Sequence, residues 1–349
     1  MSKVPGKNSK GTPSDPANEP PSLFDNMALF DAVSPTPQVN GEEADQPVPQ
    51  GGNNLSSDER KTAANAHGGT GPLRELMDDN FLQFASYTIC NRAIPTVEDG
   101  LKPVQRRIMH SLWEKDDGRF IKVANVVGHT MQYHPHGDAS IGDAIVNLAN
   151  KRYLIEGQGN YGNLFTGDSA AASRYIECRL TELARNELFN PKLTTYIPSY
   201  DGRNKEPVLL PSKLPLLLML GADGIAVGLS TAVLPHNFIE LLEAEIAIIQ
   251  KKSYTVLPDF MTGARMDVSE YNNGMGRVKL RANIECRPPN KLVITALPWG
   301  QTTESLIANI EEASQKKKVP VRQISDFTAE KVEIELVLNV GATQEQTIA

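Results

Sequence analysis

The sequence predicts an α+β protein in which a helix-turn-helix with a wing precedes a mixed α+β region, all behind a disordered tail. Three observations carry this. Apolar residues recur at helical spacing in successive short segments between Leu73 and Leu148, with tight turns between them. From about Tyr200 the period changes, and strands with period two alternate with two further helices. Residues 1–70, finally, hold nine prolines and seven glycines among many Ser, Asn and Asp. Such a segment cannot bury enough apolar surface to offset its chain entropy.

The elements follow in order. Leu73, Leu76, Met77, Phe81, Phe84 and Ala85 open a helix that runs to Arg92 and ends before Pro95. Pro103 suits the first turn of a second helix with Val104, Ile108, Met109 and Leu112 on one face. A third covers Ile121 to Met131. A fourth follows His134-Pro135-His136-Gly137-Asp138, with Ser140 and Asp143 as a capping box and Ile141, Ala144, Ile145 and Leu148 as its buried stripe. Tyr153 to Ile155 is a short strand before a Gly-rich loop, and Ile176, Leu180, Leu183 and Leu188 read as one face of an amphipathic helix. Further on, Val278 to Cys286 alternates apolar and polar after an Asn273-Gly274 turn signal. Lys291–Leu297 and Val332–Val340 read as strands, and Phe238–Gln250 and Glu304–Ser314 as helices.

At 349 residues the chain has room for about two domains of ~150 residues. With 40% hydrophobic and 22% charged residues it is a packed protein. The formal charge is −7, more than half of it in the tail, where nine acidic residues face five basic ones. That excludes a wholly basic nucleic-acid coat and is compatible with a local basic face. Cys90, Cys178 and Cys286 lie far apart, which excludes a disulfide framework and a thiolate zinc site and fits a reducing compartment. The first residues lack the apolar core of a signal peptide, and Leu214 to Leu220 is too short to span a bilayer. A soluble intracellular protein is expected.

Four of the six histidines fall between His110 and His136. His134 and His136 bracket a proline, so they suit a metal pair, a pair of donors to a phosphate, or a plain capping turn. No third metal ligand stands at sensible spacing, which puts phosphate ahead of metal. Gly157, Gly159 and Gly162 match the dinucleotide-binding glycine pattern, but another loop follows where that unit needs a helix. Close approach of backbone to some other group is the better account. Tyr175, beside Arg174, is either a packing residue or a nucleophile whose phenolate a cation would stabilise. Arg92, Lys102, Arg106, Arg107 and His110 form either a solvated helix face or a phosphate-contacting one.

Taken in order, the segments NRAIPTVEDGLKPVQRRI, YHPHGD, EGQGNYGN, GDSAAASRYIECRL and DGIAVGLSTAVLPHN closely resemble the A subunit of the bacterial type IIA DNA topoisomerases, DNA gyrase and topoisomerase IV. The resemblance covers roughly residues 73 to 345 and leaves the tail without a counterpart. After the tail at 1–70, which its composition predicts to be disordered, it implies N-terminal helices and a winged-helix DNA-gate domain at 71–198, and a tower domain at 199–349. It also implies an ATP-dependent enzyme that breaks both DNA strands through a 5′-phosphotyrosine link and reseals them. Tyr175 matches the attacking tyrosine and Arg174 the stabiliser of its transition state. His136, Arg92 and Arg107 match further active-site groups. Lys102, His134, His136 and Arg106 fall among DNA-contacting positions, and Ile225 matches an apolar wedge that bends the duplex.

By the same resemblance the partners are double-stranded DNA, a B subunit, and a second copy of the A subunit, in an A2B2 assembly at the chromosome in the cytoplasm. Mg2+ and ATP are bound mainly by the B subunit, and no metal site is expected in this chain. A non-catalytic winged-helix DNA-binding protein is the alternative; it would not need Arg174-Tyr175. Two departures stand out. Ala139 occupies the position of a family hydroxyl that, with an acidic residue near Asp143, holds a water–Mg2+ bridge to quinolones. The chain also stops at Ala349, within the tower, which reads as a fragment or truncated gene product.

Overall fold

The computed structural model describes residues 72–344 and residue 347; the tail expected to be disordered lies outside the described residues. The fold is α+β. Helix α1 (Pro72–Thr88) passes directly into a π-helical turn, Ile89–Ala93. It stops because Ile94 precedes Pro95 and is held extended, at φ −97° and ψ 128°. Among the described residues the apolar stripe that signals α1 finds no core: Leu76, Met77, Phe81 and Phe84 are all exposed.

Helix α2 (Pro103–Glu114) starts on its proline, and Gln105 Oε1 accepts the Lys102 amide at 2.9 Å. Ile108, Met109 and Leu112 are buried as their spacing requires. The third helix is shorter than predicted. Ile121–Lys122 pair as strand β1, and α3 covers Val123–Thr130. Helix α4 (Asp138–Asn150) buries Ile141, Ile145 and Leu148. The predicted capping box does not form, because Gly137 is already the N-cap and Ser140 Oγ donates back to its carbonyl at 2.7 Å. Asp138 instead puts a carboxylate in the first turn, where the helix dipole favours it.

The segment read as a helix from Ile176 is a strand. β3 (Glu177–Leu180) lies between β1 and β2 (Ile155–Gln158) in an antiparallel sheet, and only Glu182–Glu187 form a helix, α5. Ile176, Cys178 and Leu180 point inward with period two, a pattern that the later leucines disguise as helical. Thr181 Oγ1 then caps α5 by accepting the Ala184 amide at 3.1 Å. These helices and strands share one core, centred on residues such as Ile108, Ile141, Ile145 and Ile176 and reaching Leu216, Met219 and Leu241. Truncating any of the first four to alanine should cost about 2–5 kcal/mol.

Three two-stranded ribbons follow in the chain: β4 (Tyr196–Pro198) with β5 (Lys205–Pro207), β6 (Ala222–Ile225) with β7 (Ser230–Val233), and β8 (Arg265–Asp267) with β9 (Lys279–Arg281). Helix α6 (Leu216–Leu220) precedes β6, and α7 (Phe238–Ile249), capped by Asn237, follows β7. The long alternating strand expected over Val278–Cys286 divides at Ala282: β9 joins the ribbon, and β10 (Asn283–Arg287) joins a four-stranded antiparallel sheet in the order β10-β11-β13-β12. β11 is Lys291–Ala296, β12 Val321–Asp326 and β13 Ile334–Leu338. Helix α8 (Thr303–Gln315) covers this sheet through Leu306, Ile307 and Ile310, closing a second core. Among the described residues no helix is long and apolar enough to cross a membrane.

Candidate functional site

The turn between α3 and α4 carries the histidines. Tyr133 anchors it from below, buried, with its hydroxyl donating to Glu114 Oε2 at 2.5 Å. Above it the rings of His134 and His136 meet edge to face with centroids 4.7 Å apart. Arg107 of α2 reaches both the turn and β5: Nη1 lies 3.0 Å from His134 Nδ1, and the rest of the guanidinium forks onto the Glu206 carboxylate. His136 Nε2 lies 2.8 Å from the Tyr87 hydroxyl of α1. Burial, then Arg107, His136 and Arg92, pull His134 down to about 4. Burial, Arg92 and Arg107 lower His136 as well. Both imidazoles are therefore neutral at pH 7 and the two arginines carry the charge. Neutral N–H donors beside fixed cations are the complement of a phosphate diester.

Arg106 departs from its expected role. It points into the protein, paired with Asp99 at 2.6 Å, and donates as well to Thr96 and the Leu101 carbonyl. A guanidinium 9% exposed on a fully buried carboxylate holds the loop before α2 and cannot meet DNA. Lys102 is placed at the base of the β6–β7 hairpin, where Nζ donates to the Asp223 carbonyl at 2.6 Å. Burial lowers the pKa of its amine, and Asp223 opposes the shift. Lys151 joins it from α4's C-terminal end, donating to the carbonyls of Leu220 and Gly221 at 2.7 and 3.1 Å. At the tip of that hairpin Ile225 is 86% exposed. A β-carbon on Gly224 would sit 2.3 Å from the Ala93 carbonyl oxygen, so only glycine lets the hairpin lie against the end of the π-helical turn.

Tyr175 closes the long loop between β2 and β3. Its amide donates to the Ala172 carbonyl at 2.8 Å, and Ala124 and Val123 donate to Ser173 and Ile176 at 3.0 Å, stitching the turn to the start of α3. Ile176 is buried, yet Tyr175 itself is 64% exposed, and the Arg174 guanidinium stands 4.6 Å from its ring centroid. An exposed phenol on a pinned turn, with a cation at its ring, can act as a nucleophile. The glycines before it serve the loop itself: at Gly162, with φ 78°, a β-carbon would collide with the Asp168 carbonyl at 2.4 Å.

The structure thus gathers Arg92, Arg107, His134 and His136, and separately pairs Arg174 with Tyr175. Among the described residues no hydrogen bond or ring contact joins the two groups. Sequence reasoning missed Tyr87, Glu206 and Lys151. Tyr87 sits on the legible α1 pattern, but nothing local marks Glu206, which is 99 residues from its arginine. Among the described residues no group of three or more His, Cys, Asp or Glu is arranged to hold a metal ion.

The family model for the A subunit of DNA gyrase/topoisomerase IV matches residues 92–349, which takes in both residue groups and the second core. The A subunit of DNA topoisomerase 4 from Borreliella burgdorferi is 56% identical over 276 residues, covering 79% of this chain and 44% of that protein. The DNA gyrase A subunit of Thermotoga maritima is 40% identical over 282 residues, covering 73% of this chain and 35% of the relative. The DNA topoisomerase 4 A subunit of Caulobacter vibrioides is 39% identical over 296 residues, with 76% and 39% covered. The chain spans less than half the length of these relatives. With the family model matched over most of its length, this chain belongs to the family of DNA gyrase/topoisomerase IV A subunits.

Proposed function

We propose that this chain is the DNA-cleaving part of an A subunit in an ATP-dependent type IIA topoisomerase. In this reading residues 71–198 form the N-terminal helices and a winged-helix DNA-gate domain, and residues 199–349 belong to a tower. Tyr175 Oη attacks a backbone phosphorus, the 3′ oxygen leaves, and the 5′ phosphate stays on the tyrosine. The phosphodiester is exchanged rather than hydrolysed, so the strand can be resealed without outside energy. Such a step needs chiefly placement and charge stabilisation. Arg174 is assigned to the developing charge, Arg92, Arg107 and His136 to the phosphate, and His134 and Lys102 to the flanking backbone. Ile225 is assigned to the wedge between base pairs.

The observation that carries this reading is the exposed Tyr175 hydroxyl on a pinned turn with Arg174 against its ring. Two such tyrosines, one per strand, call for a symmetric pair of A subunits. A B subunit would complete an A2B2 assembly at the chromosome in the cytoplasm and bring Mg2+ and ATP. The outcome on DNA is decatenation and relaxation, or supercoiling. The test mixes the protein with a B subunit, Mg2+ and supercoiled DNA and looks for protein joined to 5′ ends. Tyr175→Phe is expected to lose the adduct while DNA affinity, spread over many cations, stays nearly intact. Adducts at wild-type level in that variant overturn the nucleophile assignment, and no adduct with the unaltered protein leaves a DNA-binding protein without catalysis.

A further inference from the structure

The loop that ends in Tyr175 is tied to two cores, and the second tie has no part in the phosphoryl transfer itself. Its ends belong to the first core: Tyr161 OH donates to the Glu177 carbonyl at 2.7 Å, and Ala171 N to Asn160 O at 2.9 Å. Its apex belongs to the second. Phe165 packs against the second core, the cluster that Leu306, Ile307 and Ile310 of α8 also cover, and its carbonyl accepts the Thr303 amide at 2.8 Å. That amide is among the four at a helix start that have no partner within the helix. Around this point the apex is cross-linked by its own hydrogen bonds. Asn163 Oδ1 accepts the Phe165 amide at 2.8 Å, Gly167 N donates to Asn163 O at 2.9 Å, and Asn163 N donates to Asp168 O at 3.1 Å.

We propose that Phe165 and the first turn of α8 form a latch that sets the position of the Tyr175 loop, so that Phe165 is a positioning residue governed by the second core. The proposal rests on Tyr175 being the nucleophile only for its effect on cleavage; the tethering of the loop stands without it. Strain or movement in the β10–β13 sheet then reaches Tyr175 through one aromatic side chain and one hydrogen bond. Without the latch, the loop keeps its ends but loses the fixed point nine residues before the arginine.

Two disruptive variants and one restoring control test this in the A–B complex. Phe165→Ala removes the plug, and Phe165→Leu restores an apolar one. Thr303→Pro removes the amide donor and exchanges a buried threonine side chain for the proline ring; Thr303 is the first residue of α8, where proline is favoured, and Thr302 is extended at φ −103° and ψ 159°, as a residue before proline requires. Amide exchange across residues 161–175 should speed up at least ~10-fold in Phe165→Ala and Thr303→Pro and stay near wild type in Phe165→Leu, with α2 and β3 unchanged. DNA affinity should hold while the rate of adduct formation falls roughly 10- to 100-fold, the cost of a misplaced reacting group. Unchanged loop exchange in both variants overturns the latch. Faster exchange with an unchanged cleavage rate, while Tyr175→Phe is inactive, overturns the positioning role. Cleavage that survives Tyr175→Phe condemns the nucleophile instead, and the exchange data still decide the latch.

Discussion

Nη1 of Arg107 lies 3.0 Å from Nδ1 of His134, and this one bond fixes the imidazole tautomer. A guanidinium only donates, so Nδ1 is the bare, accepting nitrogen and Nε2 carries the hydrogen. Glu206 holds the other side of the guanidinium, so the cation cannot swing away from the ring. The turn therefore offers a neutral N–H donor whose orientation is set from β5 and α2 together.

His134 should make the folded chain sensitive to acid. Its ordinary value is 6.5, and in the fold burial and the neighbouring cations bring it to about 4. Between those values the unfolded chain binds more protons than the folded one. Stability is thus fully present above about pH 6.5 and falls as pH drops toward 4, by on the order of 3 kcal/mol. Urea unfolding at a series of pH values is expected to show this slope in the wild type and a flatter one in His134→Gln. Equal slopes in the two proteins would remove His134 from the account.

Arg106 and Arg107 are neighbours in sequence with opposite duties, and mutation should separate them. Arg106→Ala leaves the Asp99 carboxylate fully buried, with only the amides of Leu101 and Leu210 as hydrogen-bond partners. A loss of about 3–5 kcal/mol is expected. The slope of DNA affinity against salt should stay at its wild-type value, because no phosphate contact is lost. A slope reduced by about one unit would put Arg106 back on the DNA.

That pair marks where the sequence stops being legible. The stripes of α2 and α4 predict their buried faces correctly, because Ile108, Met109, Leu112, Ile141, Ile145 and Leu148 obey one strong period. Charge has no period of that kind. Arg106 and Arg107 differ in fate because one faces Asp99 in the preceding loop and the other Glu206 on β5. The β3 strand reads as helix for a related reason. Ile176 and Leu180 fit both periods over four residues, and pairing with β1 and β2 decides between them. The motif around His134 and His136 is visible in the sequence, but their neutrality depends on burial and on Arg92, which arrives from another element.

Ile225 offers a test with almost no background. An isoleucine 86% exposed contributes little to folding, so Ile225→Ala should stay within about 0.5 kcal/mol of wild type. Bending of a short duplex, read by energy transfer between dyes at its ends, should nevertheless fall clearly. Gly224→Ala should disturb both quantities, since its β-carbon meets the Ala93 carbonyl. Undiminished bending by Ile225→Ala would remove the wedge from the proposal.

Ala139 and Asp143 stand one turn apart on α4, both exposed, and line one cavity of about 680 Å3 beside the Tyr175 loop. The resemblance implies that a hydroxyl at the first position would share with the acidic residue a water–Mg2+ bridge to a quinolone. Here Asp143 would hold that bridge alone, because the methyl of Ala139 has no oxygen to accept from a coordinated water. Adding one does not disturb the helix: Ala139 is exposed, and its own amide already donates to Asp138 Oδ1 at 3.0 Å. Ala139→Ser should therefore add one hydrogen bond worth about 1 kcal/mol, or roughly fivefold in the drug concentration needed to trap cleaved DNA. The gain should vanish in Ala139→Ser combined with Asp143→Asn, which weakens the other end of the bridge. A serine variant with the same drug response as the wild type, in a complex that cleaves DNA normally, would show that quinolones do not read this turn of α4.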